Sequence, residues 1–480
     1  MTLPLPMGFR IALIHGVELL PAGRVLVGGN PTRVLRLTER GELAFRELCA
    51  GGVRSALHGA LARRLIDAGM ADPLPPRIQP DFSVTVVIPC LDRPELLESC
   101  LLTLGTGNAV LVVDDGSADP EAIAGVCVRH GARLVRRRVT GGPAAARNTA
   151  LDLIETELVA FLDSDCTVPE NWLERLLPHF LDPLVGAVAP RIVARVEPGA
   201  RRSITERFAA TASPLDLGDR PGAVAPQSRV SYVPTAALLA RRRALPVAFD
   251  SSLRFGEDVD LVWRMVEHGW RVRYDPGVRV AHAEPSRLDL LLKRRYRYGT
   301  SAGPLAQRHP KRLMPLVSTP WPSLVVALLF FRRPRSAAVA FSVATLLLAR
   351  TLRSAGAPAA MAPRLLGRAV GETALGAGKA ATQLALPAIL VAARRPGWPR
   401  AVASGLLFGP PALEWLKRRP EVDPLRWTAL FIAGEVAYGA GVWRGCLRAR
   451  TLEPLLPTLR MGRGAGAGAA GATRNWIDRA

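Results

Sequence analysis

Leu111-Val112-Val113-Asp114-Asp115-Gly116-Ser117 is an apolar run that stops at two adjacent acids and a glycine turn, and Leu158-Val159-Ala160-Phe161-Leu162-Asp163-Ser164-Asp165 repeats the form further along. Consecutive apolar residues without alternation mark a strand buried on both faces, as in a parallel sheet covered by helices. Around these two runs strand and helix signals alternate. Val84 to Ile88 reads as a strand, Pro94 to Leu104 as a helix and Ala109 to Val113 as a strand. Asp119-Pro120 opens a helix over Glu121 to His130, a strand lies near Leu134, Pro143 to Glu155 reads as a helix, and Leu158 to Leu162 as a strand. The alternation predicts an α/β fold with a mostly parallel, doubly wound sheet, whose ligands bind beyond the carboxyl ends of the strands.

The chemistry-bearing residues fall at those ends. Asp163 and Asp165, two residues apart after an apolar strand, can reach one divalent ion that also bridges phosphate oxygens; alone, such a triplet is more often an ordinary solvated turn. Asp114 and Asp115 are placed to accept hydrogens from a base or ribose, although Asp-Gly-Ser is also common turn chemistry. Gly141-Gly142-Pro143-Ala144-Ala145-Ala146-Arg147-Asn148 leads a glycine pair into a small-residue helix, where Arg147 could meet a base carbonyl or phosphate or simply lie on the surface.

In order, Val87-Ile88-Pro89, Asp114-Asp115-Gly116-Ser117, Ala146-Arg147-Asn148 and Asp163-Ser164-Asp165 resemble the four nucleotide-binding motifs of the family 2 glycosyltransferases. Arg254-Phe255-Gly256-Glu257-Asp258-Val259-Asp260-Leu261 is similar to that family's acceptor-side Glu-Asp motif at a helix start. The resemblance implies a metal-dependent, inverting hexosyltransferase with a GT-A, Rossmann-like catalytic domain over residues 81–305. It places Pro89, Asp92, Asp114, Asp115, Arg147, Asp163 and Arg297 on a nucleotide-sugar donor. It places Asp163, Asp165 and His282 on a divalent ion, Mg²⁺ or Mn²⁺, and Asp258 with Glu257 at the catalytic centre. Asp258 is the favoured general base, because the incoming hydroxyl must lose its proton as it attacks; Glu257 or Asp260 would then cap the helix or hold an arginine. Arg294-Arg295-Tyr296-Arg297-Tyr298 is similar to the Gln-x-x-Arg-Trp motif of membrane polysaccharide synthases, with Arg294 for Gln and Tyr298 for Trp, a departure that argues against processive synthesis.

The whole chain resembles the mycofactocin-system glycosyltransferases, in which a short front domain precedes the catalytic one and an arginine-rich apolar region follows. Here the front domain is residues 1–77. Arg24 to Gly29 and Val34 to Leu37 read as strands, Thr38 opens a helix through Leu48, Leu57, Leu61, Leu65 and Ile66 recur at helical spacing, and Asp72-Pro73-Leu74-Pro75-Pro76 reads as a stiff linker. It is similar to the winged-helix-like α+β domains that capture precursor peptides. The resemblance therefore implies UDP-glucose as donor and a peptide-derived acceptor, mycofactocin or its precursor, receiving β-linked sugars. A membrane polysaccharide or glycolipid transferase of the same fold, and a non-catalytic peptide-binding scaffold, are the alternatives.

Charge separates the last third from the rest. Of the net +22, residues 301–480 carry 25 Lys/Arg against 7 Asp/Glu. The arginines interrupt apolar runs and form no aromatic-interleaved stripe, which excludes nucleic acid and points to an anionic membrane surface. Leu313 to Phe331 is uncharged for 19 residues, close to a spanning length, but holds Pro315, Pro320 and Pro322. Residues 306–460 thus read as a helical membrane-associated region, or else as a buried helical subdomain of a soluble protein; residues 461–480 read as a flexible Gly/Ala-rich tail. The six scattered cysteines suggest neither disulfides nor zinc, and MTLPLPMGFR has no signal-peptide pattern, so the expected location is the cytoplasmic side of the cell membrane.

Overall fold

In a computed structural model, residues 3–459 are described except for 21, 22, 30, 31, 197, 198, 200, 246 and 247. The expected tail at 461–480 lies outside the described residues. The chain divides into two compact units, one up to Leu291 together with Pro420–Val422, the other from Leu292 on without those three residues. The division falls inside the helix Leu288–Thr300, before the boundary expected at 305.

The first unit begins with the front segment. Val25–Gly28 is the middle strand of an antiparallel sheet between Glu18–Leu19 and Arg33–Arg36. Two helices follow, Glu39–Gly51 capped by Thr38 and Ala56–Asp67 capped by Ser55, each cap oxygen taking a backbone N–H of the first turn. Leu5, Phe9, Leu26, Phe45, Leu48, Leu65 and Met70 form their own core. Leu57, part of the expected helical stripe, is exposed, because the helix turns Ala62, Leu65, Ile66 and Arg63 inward instead. Asp72-Pro73-Leu74 is not a linker: Ala71–Leu74 is a strand paired antiparallel with Arg10–Leu13, and this two-stranded pairing leaves an edge on which Pro73 is tolerated. The buried Arg63 donates to the buried Asp182 at 2.8 Å, and Arg271 pairs with Asp67, so the front segment meets the catalytic sheet near the amino ends of two of its strands, Val185–Ala194 and Arg271–His282.

Among the described residues that sheet has nine strands. Arg133–Arg136, Ala109–Asp114, Val84–Cys90 and Leu158–Leu162 lie side by side, all parallel, and beyond them come Ala237–Arg241, antiparallel, then Val185–Ala194 and Arg271–His282. Strand order reverses between Val84–Cys90 and Leu158–Leu162, the switch point where open α/β sheets take their ligands. Leu158–Leu162 is buried throughout, as its unbroken apolar run requires. The helix starting at Pro143 ends at Leu151, short of the expected Glu155. The chain must turn there to enter the central strand, and Thr156 and Glu157 are tied back to Thr85 and Ser83. Arg271–His282 pairs with Val185–Ala194 through a bulge at Pro190/Arg191 and ends with His282 opposite Cys166.

The second unit is helical. Leu313 to Phe331 does not make a spanning helix: its prolines confine the helical part to Pro320–Phe330, 11 residues or roughly 16 Å. Among the described residues, the helix long and apolar enough to cross a membrane is Pro334–Ser354, 21 residues with Arg335, Arg350 and Arg353 at its ends. Ala359–Leu384 and Leu386–Arg394 pass the same test only as a pair bent by 101°. Gly299 and Gly303 face Gly441 and Gly445 of the helix Pro424–Ala449 at backbone contact. A Cβ on Gly303 would run into the Gly445 carbonyl, and one on Gly441 into the carbonyl of Tyr296. Small residues four apart on both partners are the usual way helices approach this closely in an apolar setting.

Candidate active site

The strand Leu158–Leu162 delivers Asp163, Ser164 and Asp165 to the switch point, and a tight turn, with the Cys166 N–H donating to the Asp163 carbonyl at 3.0 Å, holds them there. One oxygen of Asp165 accepts from Arg93 at 3.1 Å. The other, Oδ1, is buried with no hydrogen-bond partner and lies 3.5 Å from Nε2 of His282. His282 in turn has Nδ1 3.6 Å from Glu284, whose carboxylate is held by the Ser213 hydroxyl at 2.8 Å. Among the described residues no group of three or more His, Cys, Asp and Glu side chains is arranged to hold a metal. The buried lone carboxylate oxygen beside an imidazole nonetheless fits a divalent ion that takes one or two carboxylates and completes its shell from a ligand's phosphates, the habit of Mg²⁺.

Around the neighbouring strand ends the acids are bound into loops. Asp114 accepts from the Ser117 N–H at 2.8 Å and leaves its buried Oδ2 without a hydrogen bond. Asp115 takes the N–H groups of Gly141 and Gly142, the latter at 2.7 Å, and pairs with Arg137 at 2.7 Å. This holds the glycine pair against the strand end, with Gly142 at φ +85° where a side chain would strain the turn. Asp92, two residues past Val84–Cys90, also sits in the left-handed region, at φ +53°, its carboxylate accepting from Ala118 at 2.7 Å. A non-glycine residue held there marks a loop whose surroundings over-determine it. Pro89 lies within that strand, paired with Val113.

Arg147 is placed differently from the expectation that it reaches for a ligand. It is almost wholly buried, with one Nη donating to Asp163 at 2.6 Å and the other to Glu257 at 3.1 Å, and its guanidinium lies 5.3 Å from the centre of the Phe249 ring. The two carboxylates raise its proton affinity against the cost of burial.

Glu257, Asp258 and Asp260 occupy the first turn of the helix Glu257–Glu267, whose N-cap is Gly256 at φ +82°. No side chain caps this end, so the acids face the positive pole of the helix. Asp260 is taken by Arg264 at 2.7 Å, and Glu257 by Arg147. Asp258 accepts from the adjacent Val259 N–H at 2.8 Å; burial, with Glu257 adding to it, pushes its carboxyl up to about 7. Burial raises Asp163 as well, against the lowering effect of Arg147.

The fold thus gathers Asp163, Asp165 and His282, and joins Asp163 to Glu257 through Arg147. Arg297 lies exposed on the helix Leu288–Thr300, within the second unit. Several participants had no sequence signal: Arg93, Glu284 and Phe249 are single residues in unremarkable contexts. Arg137 stands in an Arg136-Arg137-Arg138 run just after a strand, a hint that one of them would turn toward the preceding strand ends.

The family model of glycosyl transferase family 2 matches residues 85–245. The chain is 38% identical over 478 residues to the pre-mycofactocin glycosyltransferase of Mycobacterium tuberculosis, covering 95% of this chain and 99% of that one. An N-acetylglucosaminyltransferase of Mesorhizobium japonicum is 27% identical over 248 residues, 47% of this chain and 57% of that protein. Among solved structures, a mannosyltransferase from Pyrobaculum calidifontis in complex with GDP-Man and Mn²⁺ is similar, at 20% identity and a TM-score of 0.44, over 77% of this chain and 89% of that one.

Proposed function

The chain belongs to glycosyl transferase family 2, with a GT-A catalytic domain, and from that premise we propose that it transfers glucose from UDP-glucose, with inversion, to mycofactocin or its peptide-derived precursor. The observation that carries the reading is the placement of Asp258 in the first turn of a helix where Arg147 takes Glu257 and Arg264 takes Asp260; burial, which pushes the Asp258 carboxyl up to about 7, suits it as a base at neutral pH. In the proposed step the acceptor oxygen attacks the anomeric carbon and its proton passes to Asp258. The bond from that carbon to the diphosphate breaks, and the electron pair leaves with the diphosphate. Attack from the face opposite the leaving group inverts the configuration. Asp163, Asp165 and His282 would hold a divalent ion, which when bound supplies positive charge to the leaving diphosphate. Asp114, Asp115, Asp92 and Pro89 line the strand ends that would receive the nucleoside.

The peptide character of the acceptor is supported by the relative and by the separate core of the front segment. The front segment docks at the amino ends of strands whose carboxyl ends carry the site, so a peptide held there would be roughly 30 Å from the chemistry, at about 3.3 Å per strand residue along Val185–Ala194, whose last residue pairs with His282. Mass spectrometry of a reaction with the precursor-derived acceptor and a panel of nucleotide sugars tests the reading. UDP-glucose with this acceptor should add hexose, and Asp165→Ala should abolish it. Transfer only to a lipid or polysaccharide would instead support a glycolipid enzyme of the same fold.

The second unit is proposed to hold the enzyme on the cytoplasmic face of the membrane. Pro334–Ser354 leaves Val339, Val343, Leu346 and Leu347 exposed between terminal arginines, and the basic excess after residue 300 suits anionic lipid at about 1 kcal/mol per residue. Fractionation decides between modes: a spanning protein needs detergent, an interfacial one leaves in carbonate, and a protein in the low-salt soluble fraction would refute attachment.

A further inference from the structure

The tripeptide Ala146-Arg147-Asn148 carries more structure than a nucleotide contact needs. Asn148 grips the backbone of Phe249 from both sides, its amide donating to the Phe249 carbonyl and its carbonyl accepting the Phe249 N–H, each at 2.8 Å. That fixes the Phe249 ring, which packs edge-on against Phe161 of the central strand with centroids 5.2 Å apart, and the ring floors the Arg147 guanidinium. Above this floor Arg147 reaches two carboxylates from opposite halves of the domain, Asp163 at the end of the donor-side strand and Glu257 at the start of the acceptor-side helix. Ala144, Ala145 and Ala146 are buried, so the helix that presents Arg147 lies tight against the sheet.

Resting on the transferase reading above, we propose that Arg147 is a positioning residue: it spans the Asp163 and Glu257 carboxylates, and so sets the first turn carrying Asp258 at a constant distance from the donor-side acids. A planar, always charged fork satisfies two carboxylates at once; a lysine supplies one point charge on a flexible stem. Glu257 then serves as the acceptor-side anchor of the bridge.

The test separates this role from donor binding. Arg147→Lys and Arg147→Ala should lower kcat about 10-fold and 100-fold or more, while the dissociation constant of UDP, measured by calorimetry without added metal, changes less than about 3-fold. Glu257→Gln should lower kcat about 10-fold, and the double variant Arg147→Lys/Glu257→Gln should be no slower than the worse single one, because both cut the same bridge. UDP binding weakened 10-fold or more in Arg147→Lys, or losses that multiply in the double variant, would overturn the proposal. If Arg147→Ala does not fold, the Lys and Gln variants still decide. Wild-type protein that binds UDP yet transfers no hexose in the acceptor screen would count against the function reading; in the same samples, unchanged UDP affinity in Arg147→Lys would still exclude the donor-contact role.

Discussion

Replacing Asp258 by Asn is the sharpest perturbation of the site. The amide is nearly isosteric and keeps the Val259 contact, but it cannot take a proton, so kcat should fall on the order of 10²-fold or more while donor binding persists. The same carboxyl fixes the wild-type pH profile. With its proton affinity raised to about 7, the reactive carboxylate is half present at pH 7, about one tenth at pH 6 and about one hundredth at pH 5, so kcat/KM should fall roughly tenfold per unit on the acid side and level off above pH 8. Stability moves the opposite way. An acid whose folded pKa is raised keeps its proton in the folded state after the unfolded chain has lost it, so its favourable contribution is full below about pH 4, declines as pH rises, and is gone above about pH 7. Asp258→Asn should therefore raise the melting temperature relative to wild type more at pH 8 than at pH 5. Initial rates from pH 5 to 9, with calorimetric melts of both proteins, provide the measurement. A flat profile between pH 5 and 8, or near-normal turnover by the variant, would refute Asp258 as base and return Glu257 and Asp260 to consideration, though both are already held by arginines.

Three further outcomes are expected. Excess chelator should stop transfer, with Mg²⁺ or Mn²⁺ restoring it, and His282→Ala should raise the metal concentration giving half-maximal rate; full turnover in chelator would exclude the Asp165–His282 site. Asp182→Ala strands the buried Arg63 beside the equally buried Arg273 and should cost about 3–5 kcal/mol in urea unfolding, because removing the carboxylate leaves uncompensated buried charge. Gly303→Val should lower the melting temperature of the detergent-purified protein, since the new Cβ meets the Gly445 backbone; Gly367→Ala, with open space around it in a helix interior, should leave stability unchanged or gain about 0.5–1 kcal/mol.

Local order in the chain determined most of the catalytic sheet. The helix Pro94–Leu104 and the strand Leu158–Leu162 fall where their spacing placed them, because caps, prolines and apolar runs act within a few residues of themselves. Asp163 and Asp165 were legible for the same reason: a strand end and its acids are contiguous. Tertiary structure alone decided the rest. Arg147 and Glu257 are 110 residues apart, Arg63 and Asp182 119 apart, and His282 meets Asp165 only because a bulged strand ends opposite Cys166. An arginine's sequence neighbours do not say which carboxylate will share its low-dielectric surroundings; that depends on which elements become adjacent when the sheet closes. The same holds for the second unit. The longest uncharged run breaks at its prolines, while Pro334–Ser354, with charges only near its ends, becomes the helix of spanning length, because unbroken backbone hydrogen bonding sets helix length where hydropathy alone does not.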